Sequence, residues 1–141
     1  MKRISISLLY ILLFCLKSFS YSVPAWAWTH TFNGTVRAVE YAGNYFYTAG
    51  TYSDSAFVFD NTTLPNNGSK DIFIAKWDSL GNMIWAKSVW GSAYDSVVSI
   101  KVNNNNELII NGSTNSGVLH ADAITVNSNG GYDMFIAKYD L

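Results

Sequence analysis

The chain has 141 residues with 9 basic and 10 acidic side chains, a formal net charge of −1. This balance excludes the basic stripe that a nucleic-acid-binding protein needs, and the length corresponds to one ordinary domain. Aromatic residues make up 16% and charged residues only 13% of the chain, which excludes a disordered polymer, since such a chain would lack the aromatics.

The first twenty residues form a segment of their own. Lys2 and Arg3 precede the apolar run ISISLLYILLFCL, and the small residues Ser18 and Ser20 follow it. This arrangement predicts a secretory signal peptide over residues 1–20, cleaved after Ser20 or a few residues later. A transmembrane anchor is the alternative, but the run is shorter than the roughly 20 residues that span a bilayer. We therefore expect a secreted or cell-surface protein with no membrane span once the signal is removed.

The only cysteine of the chain, Cys15, lies inside this leader. Its removal leaves a chain without disulfides, thiol nucleophile or thiolate metal ligand, although export would permit disulfides. Without Lys2, Arg3 and Lys17 the balance becomes 6 basic against 10 acidic side chains, which again argues against nucleic acid as a partner.

After the leader, short alternating apolar runs separated by Asn, Gly and Ser clusters predict β-strands joined by tight turns. In chain order we expect main strands at 26–32, 35–41, 45–51, 71–77, 83–89, 96–102, 107–113 and 133–139, with weaker extended pieces at 57–59 and 124–126. The connections are short, so neighbouring strands should be antiparallel.

The chain contains an internal repeat with a period of about 62 residues. DIFIAKWD at 71–78 returns as DMFIAKYD at 133–140, and laying 42–78 on 104–140 gives 12 identities in 37 positions. Upstream, Trp28 answers Trp85 when AWTHTF is laid on IWAKSV. Repeats of this size with four main strands each are typical of propeller blades or β arrays. The sequence thus divides into a first unit, residues 21–78, and a second unit, residues 79–141.

The repeated motif places the same side chains at the same positions in both units: Asp71, Phe73, Ile74, Ala75, Lys76 and Asp78 in the first, and Asp133, Phe135, Ile136, Ala137, Lys138 and Asp140 in the second. Alternation along a strand puts the two sets of apolar residues on opposite faces. Both faces are mainly apolar, so we expect this strand to be covered on both sides. The acidic residues at its ends should hold turns by accepting backbone N–H bonds.

The pattern G-x-x-D-I-F-I-A-K-x-D-x-x-G-N-x-x-W-A-K-S, from Gly68 to Ser88, resembles the bacterial β-propeller repeat family of the SBBP type. The stretch from Ser96 to Ser113 resembles the next part of that repeat, and the stretch from Gly130 to Asp140 resembles its restart. The resemblance implies an all-β fold of two tandem four-stranded antiparallel blade-like sheets, a partial β-propeller, in an exported or surface-associated protein. It implies no catalytic residues.

Two units are fewer than the four to eight blades of a closed propeller. Three interpretations stay open: the chain is a truncated piece of a longer repeat protein, it assembles with other copies into a closed ring, or its two sheets pack face to face as a sandwich. The motif runs up to Leu141, where a further hairpin would normally follow, and this favours truncation of the second unit. The expected partners are further propeller repeats of a parent chain or other copies of itself.

Candidate catalytic and metal-binding residues are sparse. The two histidines, His30 and His120, do not occupy equivalent positions in the repeat, and no metal-ligand spacing surrounds them. Asp71 and Asp78 bracket one strand and should lie roughly 20 Å apart, beyond the ~5–10 Å that separates glycosidase carboxylates. The sequence therefore predicts no catalytic residue, no metal site and no cofactor.

The function that the sequence supports best is that of a non-catalytic exported repeat protein serving as a structural scaffold or binding surface. The alternative is an oligomeric carbohydrate-binding lectin assembled from two-unit chains, with glycans as partners. Trp90 is the candidate ligand-facing aromatic because it falls in a stretch without a counterpart in the first unit. An exported hydrolase is a third class, which would require clustered acidic groups in a pocket.

Overall fold

The computed structural model describes residues 25–53 and 56–141, and the predicted signal peptide lies outside these ranges. Within them the chain folds into β-strands and no helix: β1 (Thr35–Ala42), β2 (Tyr45–Tyr52), β3 (Ala56–Phe59), β4 (Thr62–Pro65), β5 (Asp71–Trp77), β6 (Met83–Gly91), β7 (Asp95–Val102), β8 (Glu107–Thr114), β9 (Val118–Ala121), β10 (Ile124–Asn127) and β11 (Asp133–Asp140). In the part of the chain that the structure describes, no helix is long and apolar enough to cross a membrane.

Six strands form the first sheet, in the order β1-β2-β5-β6-β9-β10, and every strand pair in it is antiparallel. Tight turns join its hairpins at residues with positive φ, which are Gly43 and Asn44 between β1 and β2 and Gly81 between β5 and β6. Gly and Asn tolerate this left-handed backbone, so the turns form where the sequence clusters these residue types.

Three strands form the second sheet, in the order β11-β8-β7, and β3 and β4 form a separate two-stranded hairpin. The β3–β4 and β9–β10 hairpins are equivalent in the repeat, and each turns at an aspartate with positive φ, Asp60 or Asp122. They differ in their partners. The β9–β10 hairpin extends the first sheet by pairing β9 with the end of β6, whereas β3–β4 pairs with no described strand.

The hydrophobic core has two parts, one on each face of β5. On one face, Ile72 and Ile74 pack between the first and second sheets, together with residues of β2, β6, β7, β8 and β9. On the other face, Phe73 and Trp77 are covered by the β3–β4 hairpin and by Phe32. This strand is therefore buried on both sides, and the two sheets are held together by its Ile face.

The all-β prediction is confirmed, with two corrections to the strands. Residues 26–32 were expected to form a strand but form none, because they contact their neighbours through side chains rather than through a backbone ladder. The short strands β4 and β9 were not predicted. The sheets have six and three strands instead of four each, because β6, expected in the second sheet, pairs with β5 in the first, which β9 and β10 also join. The predicted boundary at 78/79 falls between β5 and β6, which pair in one sheet, and the division into two units stays a prediction.

Candidate functional site

The two copies of the repeated motif have different surroundings. β5 is buried along nearly its whole length, whereas burial alternates residue by residue along β11. Ile72 and Ile74 are 0% exposed, whereas Met134 is 93% and Ile136 is 76% exposed. The prediction that this strand is covered on both sides therefore holds for β5 and is wrong for β11, whose outer face is bare in the described structure.

This outer face of the second sheet, the open face, consists of Val98, Asn111, Ser113, Met134 and Ile136. Met134 lies opposite Ser113, and Ile136 lies opposite Asn111 on β8. The five side chains line a shallow depression of about 560 Å³. A contiguous apolar patch bordered by short polar side chains is typical of a packing or interaction surface.

The open face has a counterpart inside the molecule. Met134 and Ile136 are equivalent in the repeat to Ile72 and Ile74, which pack against the second sheet in the core. The β11 residues of the open face therefore correspond to residues that the first sheet uses for sheet-on-sheet packing.

A groove of about 560 Å³ runs along the edge of β11. Its apolar walls are Leu119, Ala121, Ile124 and Val126 on one side and Phe135, Ala137 and Tyr139 on the other. β11 lies at the edge of the second sheet, whereas the equivalent strand β5 is flanked by β6. The groove thus lies where a strand equivalent to β6 would be placed.

Polar groups in the groove are only partly paired. Lys87 forms an ion pair with Asp122 at 2.5 Å, and its ammonium lies 5.9 Å from the centre of the Tyr139 ring. The Tyr139 hydroxyl is buried and has no hydrogen-bond partner among the described residues. Burial, and then the nearby Asp122 carboxylate, raise the pKa of Tyr139 to about 12. The phenol therefore keeps its proton at neutral pH and can donate a hydrogen bond to a group that enters the groove.

Residues 28–32, which align with β6 in the repeat, lie against the Phe73 face of β5. Phe32 packs edge-on against Phe73, with ring centres 5.3 Å apart. The His30 ring N–H donates a hydrogen bond of 2.8 Å to the Gly81 carbonyl oxygen. The segment is therefore fixed to its own sheet by side chains, although it is not a strand.

A buried polar cluster lies where β5 and β7 begin. Asp95 accepts hydrogen bonds from the Thr114 hydroxyl at 2.5 Å and the Ser116 hydroxyl at 3.0 Å. Asp71 accepts one from the Asn67 backbone N–H at 2.6 Å. Burial raises the pKa of both carboxyls, and the charge of Asp95 raises that of Asp71 further. The Asp95 N–H donates a hydrogen bond of 2.8 Å to the Lys70 carbonyl oxygen, which ties the start of β7 in the second sheet to the start of β5 in the first.

The acidic pair considered from the sequence is not brought together. Asp71 and Asp78 stand at opposite ends of β5, and Asp78 instead closes a turn by accepting hydrogen bonds from the N–H groups of Leu80 and Asn82. The residue that Asp71 does approach is Asp95, which the sequence reasoning missed. The only sequence signal for Asp95 is its place directly before an alternating strand.

The remaining motif residues are placed as follows. Lys76 covers the Tyr45 ring at 4.1 Å, and Lys138 forms ion pairs with Glu107 and Asp140. Asp133 accepts a hydrogen bond from the Asn129 N–H, as Asp71 does from Asn67.

Trp90, the candidate ligand-facing aromatic, lies on β6 and is partly buried. Its ring stacks on that of His120 with centres 3.9 Å apart and an angle of 16° between the planes. One face of the indole is therefore covered by His120. The second histidine, His30, lies apart from this pair, on the aromatic cluster of the first sheet.

Among the described residues, no group of three or more His, Cys, Asp or Glu side chains lies close enough to hold a metal ion. Comparison with protein-family models finds no match to this chain, and comparison with curated proteins finds no similar sequence. The resemblance to SBBP-type repeats therefore stays a prediction.

Proposed function

We propose that this chain is a non-catalytic, exported β-propeller repeat protein, or part of one, in which both sheets are blades and the open face is a packing and binding surface. The observation that carries the proposal is the contrast between the two copies of the motif. Ile72 and Ile74 are fully buried between the sheets, whereas their equivalents Met134 and Ile136 are exposed. In repeat architectures each unit buries its apolar face only against a neighbour.

The glycines that recur in the repeat support equivalent packing in both units. A Cβ added at Gly50 would lie 2.0 Å from the Thr35 carbonyl oxygen, and one at Gly112 would lie 2.1 Å from the Ser96 carbonyl oxygen. Both glycines also lie under an equivalent aromatic ring, Phe73 or Phe135. The same close strand contact is thus built twice, as expected of repeated blades.

The proposed setting is outside the cell, secreted or at the cell surface. It rests on the signal-peptide pattern of residues 1–20. The partners that fit the open face are further propeller repeats of a parent chain or other copies of this chain, because their matching surface is the one already packed on Ile72 and Ile74.

The proposal is tested by appending a second copy of residues 79–141 after Leu141, which supplies a third unit. We expect the melting temperature to rise and hydrogen exchange of the β11 amides to slow, because the added unit covers the open face and the edge. The matched control carries Leu119→Asp and Phe135→Asp in the appended copy only, and it should show neither effect. Equal exchange rates with and without the intact third unit would contradict the proposal.

The groove beside β11 favours an alternative function, the oligomeric lectin. It combines an aromatic side chain, Tyr139, with the Lys87–Asp122 ion pair, and sugars are commonly held by such mixed walls. In a glycan-array measurement, a lectin would bind a defined sugar and lose it on Tyr139→Ala. Absence of binding to any glycan by the assembled protein would remove this alternative.

A further inference from the structure

We infer that a second copy of this chain completes the second sheet by placing its residues 28–32 alongside β11 as a fourth, antiparallel strand. This inference rests on the proposed function and deepens it by naming the partner and the register. It assigns a role to a segment that the sequence predicts as a strand but that forms none in the described structure.

The acceptor is the outer edge of β11. In the first sheet the equivalent strand β5 pairs on this side with β6, where Ile74 lies opposite Lys87, Ala75 opposite Ala86, and Lys76 opposite Trp85. In the second sheet no described strand pairs here. An exposed edge with unpaired N–H and C=O groups is a template for an added strand.

The donor is the segment 28–32, which aligns with β6 in the repeat and shares its tryptophan. Trp28 corresponds to Trp85, and Phe32 therefore corresponds to Val89. Val89 lies beside β9, opposite Ala121, and Phe32 lies beside β3, with its ring centre 6.1 Å from that of Phe59. The segment thus lies beside its own hairpin, held by ring contacts, whereas β6 is held beside β9 by a backbone ladder.

The repeat fixes the register of the proposed pairing. Transferring the β5–β6 register places Phe32 opposite Met134, His30 opposite Ile136 and Trp28 opposite Lys138. Thr29 and Thr31 then face the groove, where hydroxyl groups could accept the hydrogen bond that the Tyr139 hydroxyl lacks. The apolar groove and the open face become covered together.

Each copy offers one donor and one acceptor, on different parts of its surface. Such a heterologous, head-to-tail contact either closes into a ring or continues as a filament. Closed propellers have four to eight blades, so rings of about two to four copies are expected. Packing in the new contact repeats the sheet-on-sheet packing of Ile72 and Ile74 within one chain.

A cysteine pair tests the register in the full chain, in a Cys15→Ser background. Thr29→Cys with Ala137→Cys puts two thiols directly opposite each other. The Cα atoms of such an antiparallel pair lie ~4.5–5.5 Å apart, which is within the range that a disulfide allows. We expect disulfide-linked multimers on a non-reducing gel. The matched control, Thr29→Cys with Ile136→Cys, is one residue out of register and places the thiols on opposite faces, so it should stay unlinked. Equal linking of both pairs, or no linking with a monomeric native mass, overturns the inference.

Peptides identify the occupant and separate this inference from the proposed function. A peptide of residues 25–34 should dissociate the multimers, whereas a peptide of residues 96–102 should not. If a peptide of residues 82–91 binds the edge and the 25–34 peptide does not, the edge is built for a further repeat of a longer chain. That result overturns the second-copy inference and leaves the proposed function standing. Failure of the appended third unit to protect β11 would instead overturn the proposed function.

Discussion

The same aspartate of the repeat has opposite electrostatic settings in the two units. Asp71 is fully buried, and its burial raises the pKa of the carboxyl above the ordinary value. Asp133 lies at the open edge, where hydrogen bonds from the Ser128 hydroxyl and then the Asn129 N–H lower its pKa. The two aspartates occupy the same position of the motif, yet their ionisation changes the stability of the fold in opposite directions.

Substituting each aspartate by asparagine should reveal this difference in the pH dependence of unfolding. Folded Asp71 keeps its proton at pH values where the unfolded chain has lost it, so its contribution to stability falls as pH rises from about 4 through the raised folded pKa. Folded Asp133 holds less proton than the unfolded chain, so its contribution is present above about pH 4 and is lost as pH falls. Relative to the wild type, Asp71→Asn should gain stability and Asp133→Asn should lose it between about pH 4 and neutrality.

Urea midpoints measured from pH 3 to pH 8 check both trends. The two variants serve as controls for each other, because each replaces a carboxylate by an amide at the same position of the motif. Parallel pH profiles for the two variants would contradict the assigned surroundings.

Prediction from the sequence was confirmed for single residues where the local backbone conformation alone decides which residue type fits. The tight turns expected between the predicted strands 35–41 and 45–51, and between 96–102 and 107–113, contain Asn44 and Asn106, and both have positive φ. The role of Gly50 could not be predicted in this way, because it depends on the Thr35 carbonyl and the Phe73 ring of two other strands. Asp95 was missed for a similar reason, since its burial follows from the approach of the two sheets.

At the scale of elements, equivalent hairpins take different partners. β9 pairs with β6 and becomes part of the first sheet, whereas β3 forms only its own hairpin and packs by side chains. Phe57 fixes that hairpin, with its ring stacked on Phe73 at 4.7 Å and tilted against Phe32 at 5.1 Å. Aromatic packing thus replaces the ladder that holds the equivalent hairpin in the second unit.

Removing this aromatic contact should destabilise the fold strongly. Phe57 is fully buried, and Phe57→Ala leaves a cavity beneath the hairpin, so we expect a loss of about 3–5 kcal/mol in the free energy of unfolding. Val58, the next residue, points to solvent, and Val58→Ala should stay within about 0.5 kcal/mol of the wild type. Chemical denaturation followed by tryptophan fluorescence measures both. Similar losses for the two variants would show that the hairpin is not held by its aromatic face.

Strand prediction was wrong where a strand depends on a neighbouring strand, because alternation along one segment does not reveal that neighbour. Residues 26–32 alternate as a strand should, yet no backbone ladder joins them to a described strand. β4 and β9 are four residues each, too short for alternation to stand out, and they form because a hairpin partner is close. Long strands with their own hairpin turns, such as β5, were placed with the observed bounds.

At the scale of the whole molecule, the two sheets pack together through one face of β5, whereas the equivalent face of β11 is uncovered in the described structure. Two-sided apolarity was readable in both copies of the motif, but the sequence could not tell which copy is covered. The groove was not predictable either, because its walls come from β9, β10 and β11, which meet only in the folded chain. The candidate site is therefore a tertiary feature, although every side chain in it belongs to the recognised repeat.

Charge placed on equivalent positions of the two motif copies should separate folding from association. Ile74→Asp buries an unpaired carboxylate between the sheets, so we expect the loss of unfolding free energy to exceed about 4 kcal/mol. Ile136→Asp puts the same carboxylate on the open face, so the monomer should stay within about 0.5 kcal/mol of the wild type. Its association should be lost, because a partner that covers the face would have to bury the charge. Denaturation and native mass, measured on both variants, check the pair. A folded Ile136→Asp protein that associates as the wild type does would exclude the open face as the contact surface.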